Sequence, residues 1–234
     1  KNGRIMVQNT AAEKYGYGLQ NMAEYRARLL EQTKEGMQLE LGGQLVYLPF
    51  VGKFNAYNLL AAFAVADLLG QDQQEVLTAI SGLTPPEGGL QQMLSPNGVM
   101  GVVDYAHTPD ALQNVLLTLS EMRDGGQLIT VVGAGGDRDK NKRPEMGRIA
   151  AELSDRVLLT SDNPRSESPE AILDDIYAGV RPQHQKRVLR ITNRREAIRT
   201  AVQLASSGDI IVVAGKGHET YQEVMGERSH FDDR

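Results

Sequence analysis

A doubly wound α/β fold with a mostly parallel sheet is what this sequence predicts for its larger part. Three observations predict it. From about residue 99 onward, short apolar runs alternate with helical stretches. Two of those helices open with one grammar of cap, proline and acid: Thr108-Pro109-Asp110 and Ser168-Pro169-Glu170. Four polar segments directly follow the ends of apolar runs, where ligands sit in such sheets.

Taken in order, the opening stretch, residues 1–18, starts at Lys1 and reads as strand and turn pieces from the middle of a fold, as in an excised fragment. Residues 37–50 alternate around Gly42-Gly43, a hairpin signal. A helix follows over GKFNAYNLLAAFAVADLLGQ, with Leu59, Ala62, Phe63, Val65, Ala66 and Leu69 as its apolar face and Gly70 as its stop. A short helix from Gln74 to Ile80 precedes a Pro/Gly cluster, residues 85–89, that reads as a linker. Beyond it, strands are expected over 99–104, 128–132, 156–160, 188–191 and 210–214. Helices are expected over 109–123, 143–154, 169–180 and 195–206.

Composition narrows the function. A net charge of −5 offers no basic footprint, so no nucleic-acid partner is expected. The absence of cysteine excludes disulfides, thiolate metal sites and cysteine nucleophiles. No apolar run reaches the length of a membrane span and the start carries no signal-peptide pattern, so a cytoplasmic protein without a membrane partner is expected.

The four rim segments carry the candidate chemistry. In GAGGDRDKNKR, residues 133–143, glycines let backbone N–H groups approach an anion, and Arg138, Lys140, Lys142 and Arg143 concentrate positive charge. The alternative is a solvated charged turn. The segment is not a phosphate-binding loop of the Gly-Lys-Ser/Thr type. In SDNPR, residues 161–165, Arg165 offers a planar fork for a carboxylate and Asp162 an acceptor for an ammonium; an Asn-Pro turn is the structural alternative. GKGHE, residues 215–219, presents Lys216, His218 and Glu219 at a strand end, although His218 reads equally as a surface histidine. In DYAHTPDAL, Asp104 either holds ribose hydroxyls or a hydrated metal, or caps its own loop. His107 has no partner at metal-ligand spacing, so no metal site is expected.

Singly these motifs are weak, but their succession is not. FNAYN at 54–58, DYAHTPDAL at 104–112, GAGGDRDKNKRP at 133–144, DNPR at 162–165 and GKGHETYQ at 215–222 together resemble the MurE family of Mur ligases. That resemblance implies residues 1–85 as the C-terminal part of a central ATP-binding domain and residues 86–234 as a Rossmann-like amino-acid-binding domain. It implies ATP-dependent joining of meso-diaminopimelate to UDP-N-acetylmuramoyl-L-alanyl-D-glutamate through an acyl phosphate, with ATP and Mg2+ as cofactors, by a monomer. It further implies diaminopimelate contacts from Arg138, Asp162, Asn163, Pro164, Arg165, Gly215 and Glu219, and nucleotide contacts from Asn55, Asn58 and Asp104. No general base is assigned.

Two departures accompany the likeness. The family's Gly-Lys-Thr phosphate loop and its modified lysine do not occur here, so the chain alone is expected to be inactive. The family's Gly-Arg after the linker is matched by Gly88-Gly89 followed by Leu90, which puts a nucleotide contact there in doubt. The alternatives are a lysine-adding or folylpolyglutamate-type ligase, or a non-catalytic amino-acid-binding module. A dinucleotide-dependent oxidoreductase is disfavoured, because no G-x-G-x-x-G opens a helix after a first strand.

Overall fold

Alternation decides the first part of the chain. Met37, Leu39 and Leu41 in β3 (Met37–Leu41) and Val46 and Leu48 in β4 (Gln44–Leu48) point to one face and are buried. The two strands pair antiparallel through Gly42 and Gly43, both at positive φ (57° and 76°), the two-residue turn expected of a hairpin. β1 (Tyr17–Gly18) and β2 (Tyr25–Gln32) complete a four-stranded sheet in the order β1-β2-β3-β4.

This computed structural model describes residue 5, residues 7–20 and residues 22–234. The expectation of strand and turn pieces in the opening stretch therefore lies outside the described residues at 1–4 and 6. The chain divides into two compact units, residues 1–84 and 85–234.

In the first unit, α1 (Lys53–Leu68) and α2 (Gln73–Ser81) accompany that sheet. The expected face of α1 is corrected. Ala56, Leu59, Leu60, Phe63 and Ala64 are buried, whereas Ala62 is exposed, Val65 is 56% exposed and Leu69 is 73% exposed. Apolar residues surround this helix almost completely, so periodicity alone could not orient it. Its end follows the glycine rule: Gly70 N–H donates to Asp67 O and Gln71 N–H to Ala66 O, the paired bonds of a Schellman motif. Asp72 caps α2 by accepting from Glu75 N–H, a contact worth about 1 kcal/mol.

In the second unit, five strands run parallel: β6 (Met100–Asp104), β7 (Leu128–Val132), β8 (Arg156–Leu159), β9 (Val188–Arg190) and β10 (Ile210–Ala214). An edge strand that the sequence did not reveal, β5 (Gln91–Leu94), pairs antiparallel with β6. The order is β5-β6-β10-β7-β8-β9, so the last parallel strand occupies the slot between the first two. Between the strands run α3 (Pro109–Met122), α4 (Lys142–Leu153), α5 (Pro169–Tyr177) and α6 (Arg194–Leu204). The expected strands and helices are present, with ends shifted by up to three residues. Thr108 and Ser168 both accept the N–H three residues on, as their cap sequences require.

Helices α3, α4 and α5 pack side by side. On one sheet face Ala197 and Ala201 of α6 share a core with Val103, Ile129, Val131, Leu158, Ile211 and Val213. With period-two alternation, Val102, Thr130 and Val212 point to the other face and are also fully buried. A sheet buried on both sides explains the continuous Val/Ile runs of the sequence. A second unforeseen element, the hairpin of β11 (Tyr221–Val224) and β12 (Glu227–His230), follows the sheet and abuts the site.

Candidate functional site

The carboxyl ends of β6, β7, β8 and β10 release the four rim segments around one cavity of about 470 Å3. Arg138, Asp162, Asn163, Arg165, Gly215 and Glu219 all line it. Tyr105, His107, Lys142 and Tyr221 add to its wall. Two guanidinium groups and two carboxylates thus share a cleft, which suits an amino-acid head bearing both charges.

Close backbone approach builds this wall. A Cβ on Gly136 would overlap Pro164 O, so only glycine lets the loop after β7 lie against the loop after β8. Gly215, at φ 117°, brings the β10 loop to Asp162, whose Oδ2 would sit 2.6 Å from a Cβ there. Arg165 is itself left-handed at φ 52°. The β11–β12 hairpin holds it there: Arg165 N–H donates to Glu223 O at 3.0 Å, and Met225 N–H to Arg165 O at 2.6 Å. Its Nη1 donates to Gly136 O at 2.8 Å, so the guanidinium spans the two loops.

Asn163 organises the cavity floor. Its Oδ1 accepts from Glu223 N–H at 2.9 Å and from Lys216 Nζ at 3.2 Å, which leaves Nδ2 to donate to Glu219 Oε2 at 2.8 Å. Lys216, with its side chain fully buried, also reaches Glu219 Oε2 at 3.3 Å and lies 5.3 Å from the Tyr221 ring centroid. Glu219 therefore enters the site already anchored on one oxygen. Sequence reasoning missed Lys216 and Tyr221 in this role, although both belong to the GKGHETYQ segment.

Several expectations are corrected. The four cations of the β7 loop do not act together. Arg143 is buried, and it pairs with Glu167 and Asp175 and donates to Gly135 O. Lys140 also pairs with Glu167. The Arg143 hydrogen bonds, the Asp137 N–H and Lys140 together hold the Glu167 carboxyl down at about 2. Of the four, Arg138 and Lys142 are the cations on the cavity wall. Burial lowers the Lys142 pKa against the opposing pull of Asp162 and Asp139, while its Nζ donates to His107 O. Pro164 is buried in the loop contact and does not line the cavity.

Asp104 is likewise off the wall. Its Oδ2 accepts from Leu90 N–H at 2.8 Å and its Oδ1 from Ala106 N–H at 2.7 Å. Burial raises its pKa, and those two N–H groups only partly counter the rise. In this geometry Asp104 caps its own loop, one of the two roles read from the sequence. Asn55 and Asn58 lie one turn apart on α1 in the first unit, with Asn55 Nδ2 donating to Val51 O and Asn58 Nδ2 to Asn55 Oδ1. Tyr105, half exposed at the rim, has the His107 ring at 4.6 Å and the His218 ring at 5.2 Å. Among the described residues, no group of three or more His, Cys, Asp or Glu side chains is placed to hold a metal ion.

Residues 90–217 match the family described as Mur ligase, glutamate ligase domain. The chain is 52% identical over 235 residues to a UDP-N-acetylmuramoyl-L-alanyl-D-glutamate–2,6-diaminopimelate ligase of Parabacteroides distasonis, covering all of this chain and 48% of that protein. A solved structure with the same ligase name is similar at 41% identity and a TM-score of 0.62, covering 97% of this chain and 47% of that one. The structure of a UDP-N-acetylmuramate–alanine ligase from Thermotoga maritima shares the fold at 20% identity, with a TM-score of 0.64 and coverage of 86% and 44%. The chain spans about half the length of the curated relatives that it matches.

Proposed function

Since this chain belongs to the Mur ligase family, we propose that it forms the amino-acid-accepting half of a ligase joining meso-diaminopimelate to UDP-N-acetylmuramoyl-L-alanyl-D-glutamate. The observation that carries the reading is the shared cavity of Arg138, Asp162, Arg165 and Glu219. Diaminopimelate has two amino-acid heads, and one must be held while the amine of the other reacts. Arg138 and Arg165 receive the distal carboxylate; Asp162 and Glu219 receive the distal ammonium. Lysine lacks that carboxylate and would leave two guanidinium groups without a partner, which is the basis of its rejection.

In the proposed reaction, a carboxylate oxygen of the UDP-linked substrate bonds to the γ-phosphorus of ATP as the bond to the bridging oxygen breaks and ADP leaves. The diaminopimelate amine then adds to the acyl carbon. The tetrahedral intermediate collapses with loss of inorganic phosphate, and the amine nitrogen gives up its proton to solvent. This chain's part is to orient that amine by gripping the far end of the molecule. Magnesium, when bound, supplies charge neutralisation of the phosphates. The described residues offer it no cluster of ligands, so no step is assigned to it here. Asn55, Asn58 and Asp104 are proposed to contact the nucleotide. The enzyme is proposed to be a cytoplasmic monomer, and the 234-residue chain alone to be inactive.

Amino-acid-dependent phosphate release by the complete ligase tests the reading. Diaminopimelate should support turnover and lysine should not. Arg165→Ala should cut the preference for diaminopimelate by roughly 100-fold, the loss of a charge-assisted pair. Unchanged discrimination in that variant would remove Arg165 from the assignment, and wild-type turnover with lysine alone would overturn the substrate.

A further inference from the structure

Beneath the cavity lies an ion pair that the reading above does not use. Arg194, the first residue of α6, and Asp233, in the chain's last segment, both have fully buried side chains. Arg194 Nε and Nη2 donate to the two oxygens of Asp233, both at 2.7 Å. The rest of the guanidinium reaches two strand ends: Nη2 donates to Ala214 O at 3.1 Å and Nη1 to Ser161 O at 3.4 Å. Those carbonyls immediately precede Gly215 and Asp162, two cavity-wall residues whose loops approach each other closely.

We propose that Arg194, set by Asp233, is a positioning residue for the acceptor amino acid. It fixes the spacing of the β8 and β10 loops so that Asp162 and Glu219 present their charges together. The inference rests on the proposed acceptor site. Geometry favours it over a purely structural pair. A pair serving only stability needs no link to both loops, whereas here a single planar group ties a helix start, two loop bases and the final segment. That segment is itself anchored: Phe231 is buried, its N–H donates to Thr220 O, and Arg195 lies 5.0 Å over its ring. Electrostatics agree. Burial opposes the Arg194 charge, but Asp233 foremost, with Asp162 and Glu219 behind it, more than compensates and raises its pKa.

Lysine cannot replace this fork, because one ammonium cannot hold both oxygens of Asp233 and both carbonyls. The test uses the complete ligase and steady-state phosphate release. Arg194→Lys should raise the KM for diaminopimelate on the order of 100-fold, with kcat and the KM for ATP within about 3-fold of wild type. A double variant, Arg194→Met with Asp233→Leu, removes the buried charges as a pair and keeps the volume, which buried pairs often tolerate. It should fold and show the same selective KM defect. Wild-type KM for diaminopimelate in either folded variant overturns the proposal. So does an equal loss for ATP and diaminopimelate, or failure of both variants to fold, because the pair would then serve the fold alone. If the wild-type ligase does not use diaminopimelate, it is the acceptor reading that fails. A wild-type enzyme that uses it beside an indifferent Arg194→Lys sinks only this inference.

Discussion

Two strand ends of the same sheet invite comparison. Asp104 closes β6 and Asp162 follows β8, and each is 7% exposed. Asp104 spends both oxygens on backbone N–H groups, one of them at Leu90, just past the linker. Asp162 spends Oδ1 on Asn163 N–H, while Oδ2 lies against Gly215 at the cavity wall. Rim position and burial are the same; the partners differ. On the proposed reading, a carboxylate at the end of a parallel strand serves a ligand where the neighbouring loop leaves one of its oxygens toward the cavity.

The comparison breaks most visibly through Asp104→Ala. Losing two charge-assisted caps at a buried site should lower unfolding stability by about 3 kcal/mol, read by urea denaturation, with no selective change in acceptor preference. Asp162→Asn should do the reverse. Stability should change by less than about 1 kcal/mol, while the KM for diaminopimelate should rise roughly 30-fold, the loss of one charged contact. If both variants behave alike, the distinction drawn between the two strand ends is wrong.

Acid titration sharpens the contrast. Glu167 is held at about 2, below its ordinary 4.5, so its stabilising effect is fully present above pH 4.5 and is lost as pH falls through about 2. Asp104 has the opposite sign: its raised pKa means the folded state takes up that proton before the unfolded chain does. The stability gap between wild type and Glu167→Gln at neutral pH should therefore close on acidification toward pH 2. A gap that persists there would place the stabilisation elsewhere than in the Arg143 pairing. Smallest of all, Arg138→Ala at its exposed position should shift stability by no more than about 0.5 kcal/mol, while weakening acceptor binding.

Much of the second unit was legible because its physics is local. Doubly buried strands must be apolar throughout, and Thr108 and Ser168 announce helix starts through bonds to residues three positions on. Where the reading went astray, the deciding contacts were distant. Arg143 looks like Arg138 in sequence, and the carboxylates that turn it inward are distant: Glu167, just before α5, and Asp175, on it. β5 and the β11–β12 hairpin are polar and exposed, so neither carries the apolar signature of a strand. The turn of that hairpin, Met225-Gly226, has positive φ at both residues but glycine at only one. The rim segments were found as polar loops, yet the partnership of Asn163, Lys216 and Glu219 spans 56 positions and has no local signal.

The placing of β10 bears on how the molecule is made. Its five residues emerge late from a ribosome, yet both β6 and β7 take their inner hydrogen bonds from it. Until Ile210–Ala214 are synthesised, the two earlier strands have a gap between them one strand wide. Assembly of the sheet must therefore wait for long-range pairing, a slow topology. A nascent chain stalled before residue 210 would hold an open, adhesive pair of edges and would need shelter from its neighbours.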